Sequence, residues 1–154
     1  MADARNLTYE EASRPALVCV DLDDRQAAVT SALEELGYTI EVAPDAEEAI
    51  DRMRKTAYTV IVVDERFGGA TPLDNLVLKT LAGMSMTTRR YIFVVLIAAG
   101  VVTLDHATAF ARSVNAVVSD TDLGQLMPIL RRAVADNDAF YRVFREVLLA
   151  AGKR

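Results

Sequence analysis

The chain has 154 residues, 52% of them hydrophobic, and a net charge of −5, a size and mix that suit one compact domain with a sizeable core. The negative balance gives no general attraction to phosphate backbones or anionic lipid, which excludes nucleic acid and membrane surfaces as direct partners and leaves another protein. The longest apolar runs, around Tyr91 to Val102 and Val143 to Ala151, fall short of the ~20 residues that span a bilayer, and Met1 to Arg14 lacks a signal-peptide core, so a cytoplasmic location is expected.

In chain order, residues 1–14 are charged and without period and read as a flexible lead-in. From Pro15 two periodicities alternate: short β-branched runs and longer amphipathic stretches of helical period. The first strand is Ala16 to Val20, with the single cysteine, Cys19, inside it as a buried structural thiol. A helix from about Asp24 to Leu36 follows and ends at Gly37; Tyr38 to Val42 is the second strand. Pro44 and Asp45 cap a second helix running through Lys55, with Ala46, Ala49, Ile50 and Met53 inward. Tyr58 to Val63 is nearly all apolar, as a strand at the centre of a sheet covered on both faces should be. A third helix over about Leu73 to Ala82, a strand Tyr91 to Ile97, a fourth helix over about Leu104 to Val114, a short strand Asn115 to Val118 and a fifth helix from near Asp122 complete the pattern. Alternation of five strands and five helices predicts a parallel α/β sheet with right-handed crossovers, in the flavodoxin-like order 2-1-3-4-5, with helices on both faces.

In such sheets the functional crevice lies beyond the carboxyl ends of the strands. Those ends carry Asp21, Asp23 and Asp24 after the first strand and Asp64 and Glu65 after the third, its neighbour in this order. Converging acids suit a Mg2+ ion, a hard cation that takes one or two carboxylates plus water and phosphate; the plainer reading is that these loops are polar anyway and that Asp24 caps a helix. Gly68 and Gly69 read as turn glycines, since no Lys and hydroxyl follow as a phosphate loop requires. His106, the only histidine, has no cysteine or second histidine to share a metal and no nucleophile beside it, so no enzymatic triad is proposed.

The segment Tyr58-Thr-Val-Ile-Val-Val-Asp64 resembles the third strand of response regulator receiver domains, which ends on the phosphate-accepting aspartate. Leu33-Glu-Glu-Leu-Gly-Tyr38, Ala43-Pro-Asp-Ala-Glu-Glu-Ala-Ile50 and Asp122-Leu-Gly-Gln-Leu126 are similar to other segments of that family, in the same order, over about Ala16 to Ala135. The resemblance implies a two-component signalling module and not an enzyme. It places the phosphoacceptor on Asp64 and the acidic pocket on Asp21 and Asp23, with Asp21 and Asp64 as the metal ligands if Mg2+ is held; no other cofactor is implied.

The chain also departs from that pattern. One member of the acidic pair is apolar, Val20 or Leu22 according to the alignment, and Asp23 replaces it only if the loop allows. The family's hydroxyl at the end of the fourth strand falls on Ile97 and its invariant Lys on Ser119, 22 positions later, with Asp120 where a Pro would follow. The aromatic switch position becomes Ala116, and no Lys lies between Lys79 and Lys153. Transfer to a carboxylate depends on positioning and charge neutralisation, and one lost donor commonly costs ~3 kcal/mol in the transition state. Arg66, two residues beyond Asp64, is the candidate for a compensating cation, against the plainer reading of a solvated loop arginine.

Two functions from one fold follow, a receiver-like module that works through protein contacts without phosphorylation, and a working receiver phosphorylated on Asp64 by a histidine kinase with Mg2+. A small flavodoxin-like cofactor binder is the third reading, which a flavin absorbance scan separates. The expected partner is a signalling kinase or a downstream effector. Residues 15–136 form the receiver-like domain and 137–154 a helical extension: the segment from about Leu123 to Ala151 is expected to be nearly all helical, its first apolar set, Leu126, Ile129, Leu130 and Ala133, gives way at Asn137 and Asp138, and a second apolar set, Phe140, Tyr141, Val143, Phe144, Val147 and Leu148, offers a contact with a second copy or another protein, or packs back on the domain.

Overall fold

The computed structural model describes residues 14–71 and 74–152. Most of the lead-in, and Leu73 at the expected start of the third helix, lie outside the described residues. Five strands form one parallel sheet in the order β2-β1-β3-β4-β5: β1 (Pro15–Cys19), β2 (Thr39–Val42), β3 (Val60–Asp64), β4 (Phe93–Ala98) and β5 (Ala116–Ser119). Between them run α1 (Asp23–Glu35), α2 (Ala46–Lys55), α3 (Leu76–Ala82), a short α4 (Met86–Arg89) and α5 (His106–Ala111), and after β5 a 3-10 turn (Asp120–Gln125) leads into α6 (Leu126–Ala150).

The pleat sorts each strand's side chains between two cores. On one face Val18, Val60, Val62, Val95, Ile97, Ala116 and Val118 pack under α1 (Val29, Leu33) and α6 (Leu126, Leu130). On the other, Leu17, Cys19, Ile61, Val63, Leu96 and Val117 pack under α2 (Ala49), α3 (Val77, Leu81) and α5 (Ala109). Both faces of β3 are covered, which is why its sequence shows no polar alternation. Burial pushes the Cys19 thiol up to about 12, so it stays protonated and inert.

Two of the expected helices have other bounds than expected, for identifiable reasons. The third helix begins at Leu76, where the Asn75 side chain accepts from the Leu78 N–H as its cap. The fourth is confined to His106–Ala111 because Leu104 (φ 65°) and Ser113 (φ 60°) are both left-handed, and Asp105 caps between them. The last helix is continuous as expected, α6 running over 25 residues with Asn137 and Asp138 inside it. Their propensity deficit is well under 1 kcal/mol each, too little to break a helix already in progress.

Candidate functional site

The parity of β3 decides the site. Val60 and Val62 face α1, so Asp64, the last residue of the strand, points the same way and meets the first turn of that helix. There the Arg25 guanidinium lies across the strand ends. Its Nη1 donates to Asp64 Oδ2 at 2.7 Å and its Nη2 to Asp120 Oδ2 at 2.9 Å, joining the ends of β3 and β5 through α1. The Asp64 hydrogen bond comes first among the causes that hold the Arg25 guanidinium above its ordinary value.

The remaining oxygens face backbone donors. Asp64 Oδ1 accepts from the Arg66 N–H at 3.0 Å, and Asp21 Oδ2 accepts from the Gly68 N–H at 2.7 Å. Gly68 can present that N–H because its φ is 76°, a conformation glycine adopts without strain. Around these groups is an open cleft of about 260 Å³ whose lining includes Asp21, Leu22, Arg25, Asp64, Arg66 and Asp120.

Glu65, one residue on, points to the opposite face and is buried. Its Oε2 accepts from the Ala99 N–H at 2.9 Å and its Oε1 lies 3.4 Å from Arg112 Nη2, just beyond α5. Asn75 Nδ2 donates to the carbonyls of both Asp64 and Glu65 at 3.1 Å, so the loop that carries the two acids is pinned from below.

Asp64 and Asp21 line one cleft, while Asp23 is exposed at the start of α1 and is not part of the lining. Of the two readings of Arg66 the structure has the plainer one: its side chain is exposed and it meets Asp64 through its backbone N–H, while the guanidinium paired with Asp64 is that of Arg25. Ile97 and Ala116 are core residues under α6, and Ser119 Oγ, 2.8 Å from Thr121 Oγ1, lies outside the cleft lining. Arg25 and Asp120 are the residues that sequence reasoning missed as a pair. The available signal was an arginine in the first turn of the helix after β1, a position that overhangs the carboxyl ends of the strands.

A Mg2+ ion between Asp21 and Asp64 would have to displace a guanidinium hydrogen-bonded to Asp64, and neither residue that can stand in the expected second acid's place, fully buried Val20 or exposed Leu22, offers an acidic side chain. Among the described residues no group of three His, Cys, Asp or Glu side chains is placed to hold a metal. The donor set as arranged does not fit that ion.

Fold and cleft define a doubly wound α/β domain of flavodoxin-like topology with an acidic site at its strand ends. More narrowly, the chain has the fold of response regulator receiver domains. It superposes on the chemotaxis response regulator CheY4 of Vibrio cholerae with a TM-score of 0.60 at 18% identity, covering 79% of this chain and 98% of that one. The TM-score with NtrX from Brucella abortus is 0.63 at 17% identity over 92% of this chain, which spans only 30% of the NtrX chain. A third match is the co-crystal structure of the Saccharomyces cerevisiae histidine phosphotransfer protein Ypd1 and the receiver domain of Ssk1, with a TM-score of 0.55 at 15% identity over 70% of this chain and 79% of that one. No protein-family model and no curated protein matches the chain. No helix among the described residues is long and apolar enough to cross a membrane.

Proposed function

We propose that this protein is a receiver-fold interaction module that works without phosphorylation on Asp64, with Arg25 in the place where a working receiver needs a metal and a free carboxylate. The observation that carries this reading is the Arg25 bridge between Asp64 and Asp120. A guanidinium bound to Oδ2 neutralises the charge that would otherwise draw a divalent cation, and with the Arg66 N–H on Oδ1 both oxygens of the carboxylate are already engaged. Ile97 and Ser119 supply no lysine to hold that group, and Ile97 is buried in the core. The module acts by docking with a protein partner, a signalling kinase or an effector, as the Ypd1 and Ssk1 receiver pair do in their co-crystal structure.

The alternative, a receiver phosphorylated on Asp64 with Mg2+, has in its favour that Asp64 and Asp21 share one cleft. Incubation with acetyl phosphate and Mg2+ followed by intact-mass measurement separates the two. The expected result is no added phosphoryl group; a stoichiometric gain that disappears in Asp64→Asn establishes the alternative.

A further inference from the structure

The face of α6 that packs on the sheet continues, in steps of three and four, from Leu126 and Leu130 through Val134 and the polar Asn137 to Tyr141, Phe144 and Leu148. The domain stops before the face does. Beyond Val134 no residue of α6 belongs to either core cluster, and of the apolar residues that follow only Tyr141 and Leu148 are half-buried. The other large apolar side chains of the distal half stand in solvent: Phe140 is 63% exposed, Val143 57%, Phe144 41% and Val147 59%. Phe140, Phe144, Val147 and Ala151 keep the alternating four-three spacing of a coiled-coil seam, widened by Tyr141 and Leu148 on one flank and Val143 on the other. The rings of Phe140 and Phe144 are stacked at 6.4 Å, and Tyr141 lies edge-on to both, so the patch is already ordered.

We infer that this face is covered by the same face of a second copy, the two helices running antiparallel. Area sets the first part. Covering these side chains removes on the order of 500 Å² per copy and about 1,000 Å² in all, the lower bound of a specific interface, so a reversible dimer in the micromolar range is expected. Charge sets the orientation. From residue 136 on, Asp136 and Asp138 come first, Arg142 and Arg145 follow, and Lys153 and Arg154 come last, with Glu146 the one exception; Arg131 and Arg132 lie nearer the body, where α6 still packs on the sheet. Parallel pairing would stack acid on acid and base on base, whereas antiparallel pairing sets the acidic stretch of each chain toward the basic stretch of the other. It also holds two bodies of like negative charge at opposite ends of the pair. This dimer names one partner for the proposed interaction module, and it holds whether or not Asp64 takes phosphate.

Sedimentation velocity of the full chain across the micromolar range should show a reversible monomer–dimer equilibrium. Phe144→Glu should raise its dissociation constant by about tenfold or more, with the melting temperature of the dilute protein unchanged. A chain monomeric at every concentration, or a dimer indifferent to Phe144→Glu, overturns the inference. Orientation is read from spin-label distances in Arg145→Cys and Asp136→Cys, buried Cys19 remaining unlabelled. Antiparallel pairing gives a short distance at 145 and a clearly longer one at 136; equal short distances at both overturn the orientation.

Discussion

Replacing Arg25 with alanine is expected to lower the stability of the folded protein by about 2 kcal/mol, which at this chain length is a fall in melting temperature of roughly 5 °C. The magnitude follows from exposure. The Asp64 side chain is 7% exposed and that of Arg25 26%, so the pair lies between a buried ion pair, whose breaking costs about 3–5 kcal/mol, and a surface one worth under about 1 kcal/mol. Most of the loss comes from the carboxylate left behind and not from the missing attraction. Asp64→Asn on the Arg25→Ala background should therefore recover more than half of it. Thermal melts of the two single variants and the double variant form the cycle. Additive losses would mean that Arg25 and Asp64 do not act as a pair.

The second large effect divides α6 in two. Leu130 is 1% exposed and shares a core with Leu33, Val118 and Leu126, so Leu130→Ala is expected to cost about 3 kcal/mol and to lower the melting temperature by roughly 10 °C. Phe144, a larger side chain on the same face of the same helix, touches no part of the core. Phe144→Ala in dilute protein should stay within about 0.5 kcal/mol of wild type. Comparable losses in the two variants would show that the distal half of α6 is core and leave no apolar face for a partner.

What the sequence made legible is what hydrophobic pattern alone determines. The unbroken run into Asp64 marks a doubly covered strand, and the alternation of short β-branched runs with helical periods leads to the parallel sheet and its order. Asp64 and Asp21 at one crevice follow from that topology without side-chain detail. Less was legible where the backbone departs from its usual habits. Leu104 and Ser113 adopt left-handed conformations with no glycine to announce them, and α4 lies in a polar stretch whose few apolar residues show no helical period. The largest omission, Arg25, is a matter of reach. Two arginines line the cleft, and sequence spacing pointed to Arg66 because it is nearer Asp64 along the chain. The pleat favours Arg25, because Asp64 points toward α1 while the backbone turn beyond Glu65 carries the Arg66 side chain into solvent. Proximity in sequence and direction of the side chain disagree here, and direction decides.

The central claim is that the cation of this cleft is Arg25 and that the site offers nothing further to a metal or a phosphoryl group. It is tested most directly by nitrogen-15 NMR of the full chain titrated with Mg2+ and then with Mg2+ plus beryllofluoride, a phosphoryl mimic. The amides of Arg66, Gly68 and Ala99 surround the site and serve as reporters. The account predicts that they and the Arg25 Nε–H keep their positions throughout, apart from small linear drifts with ionic strength. Saturable, stoichiometric shifts at Arg66 and Gly68, together with displacement of the Arg25 signal, would contradict it.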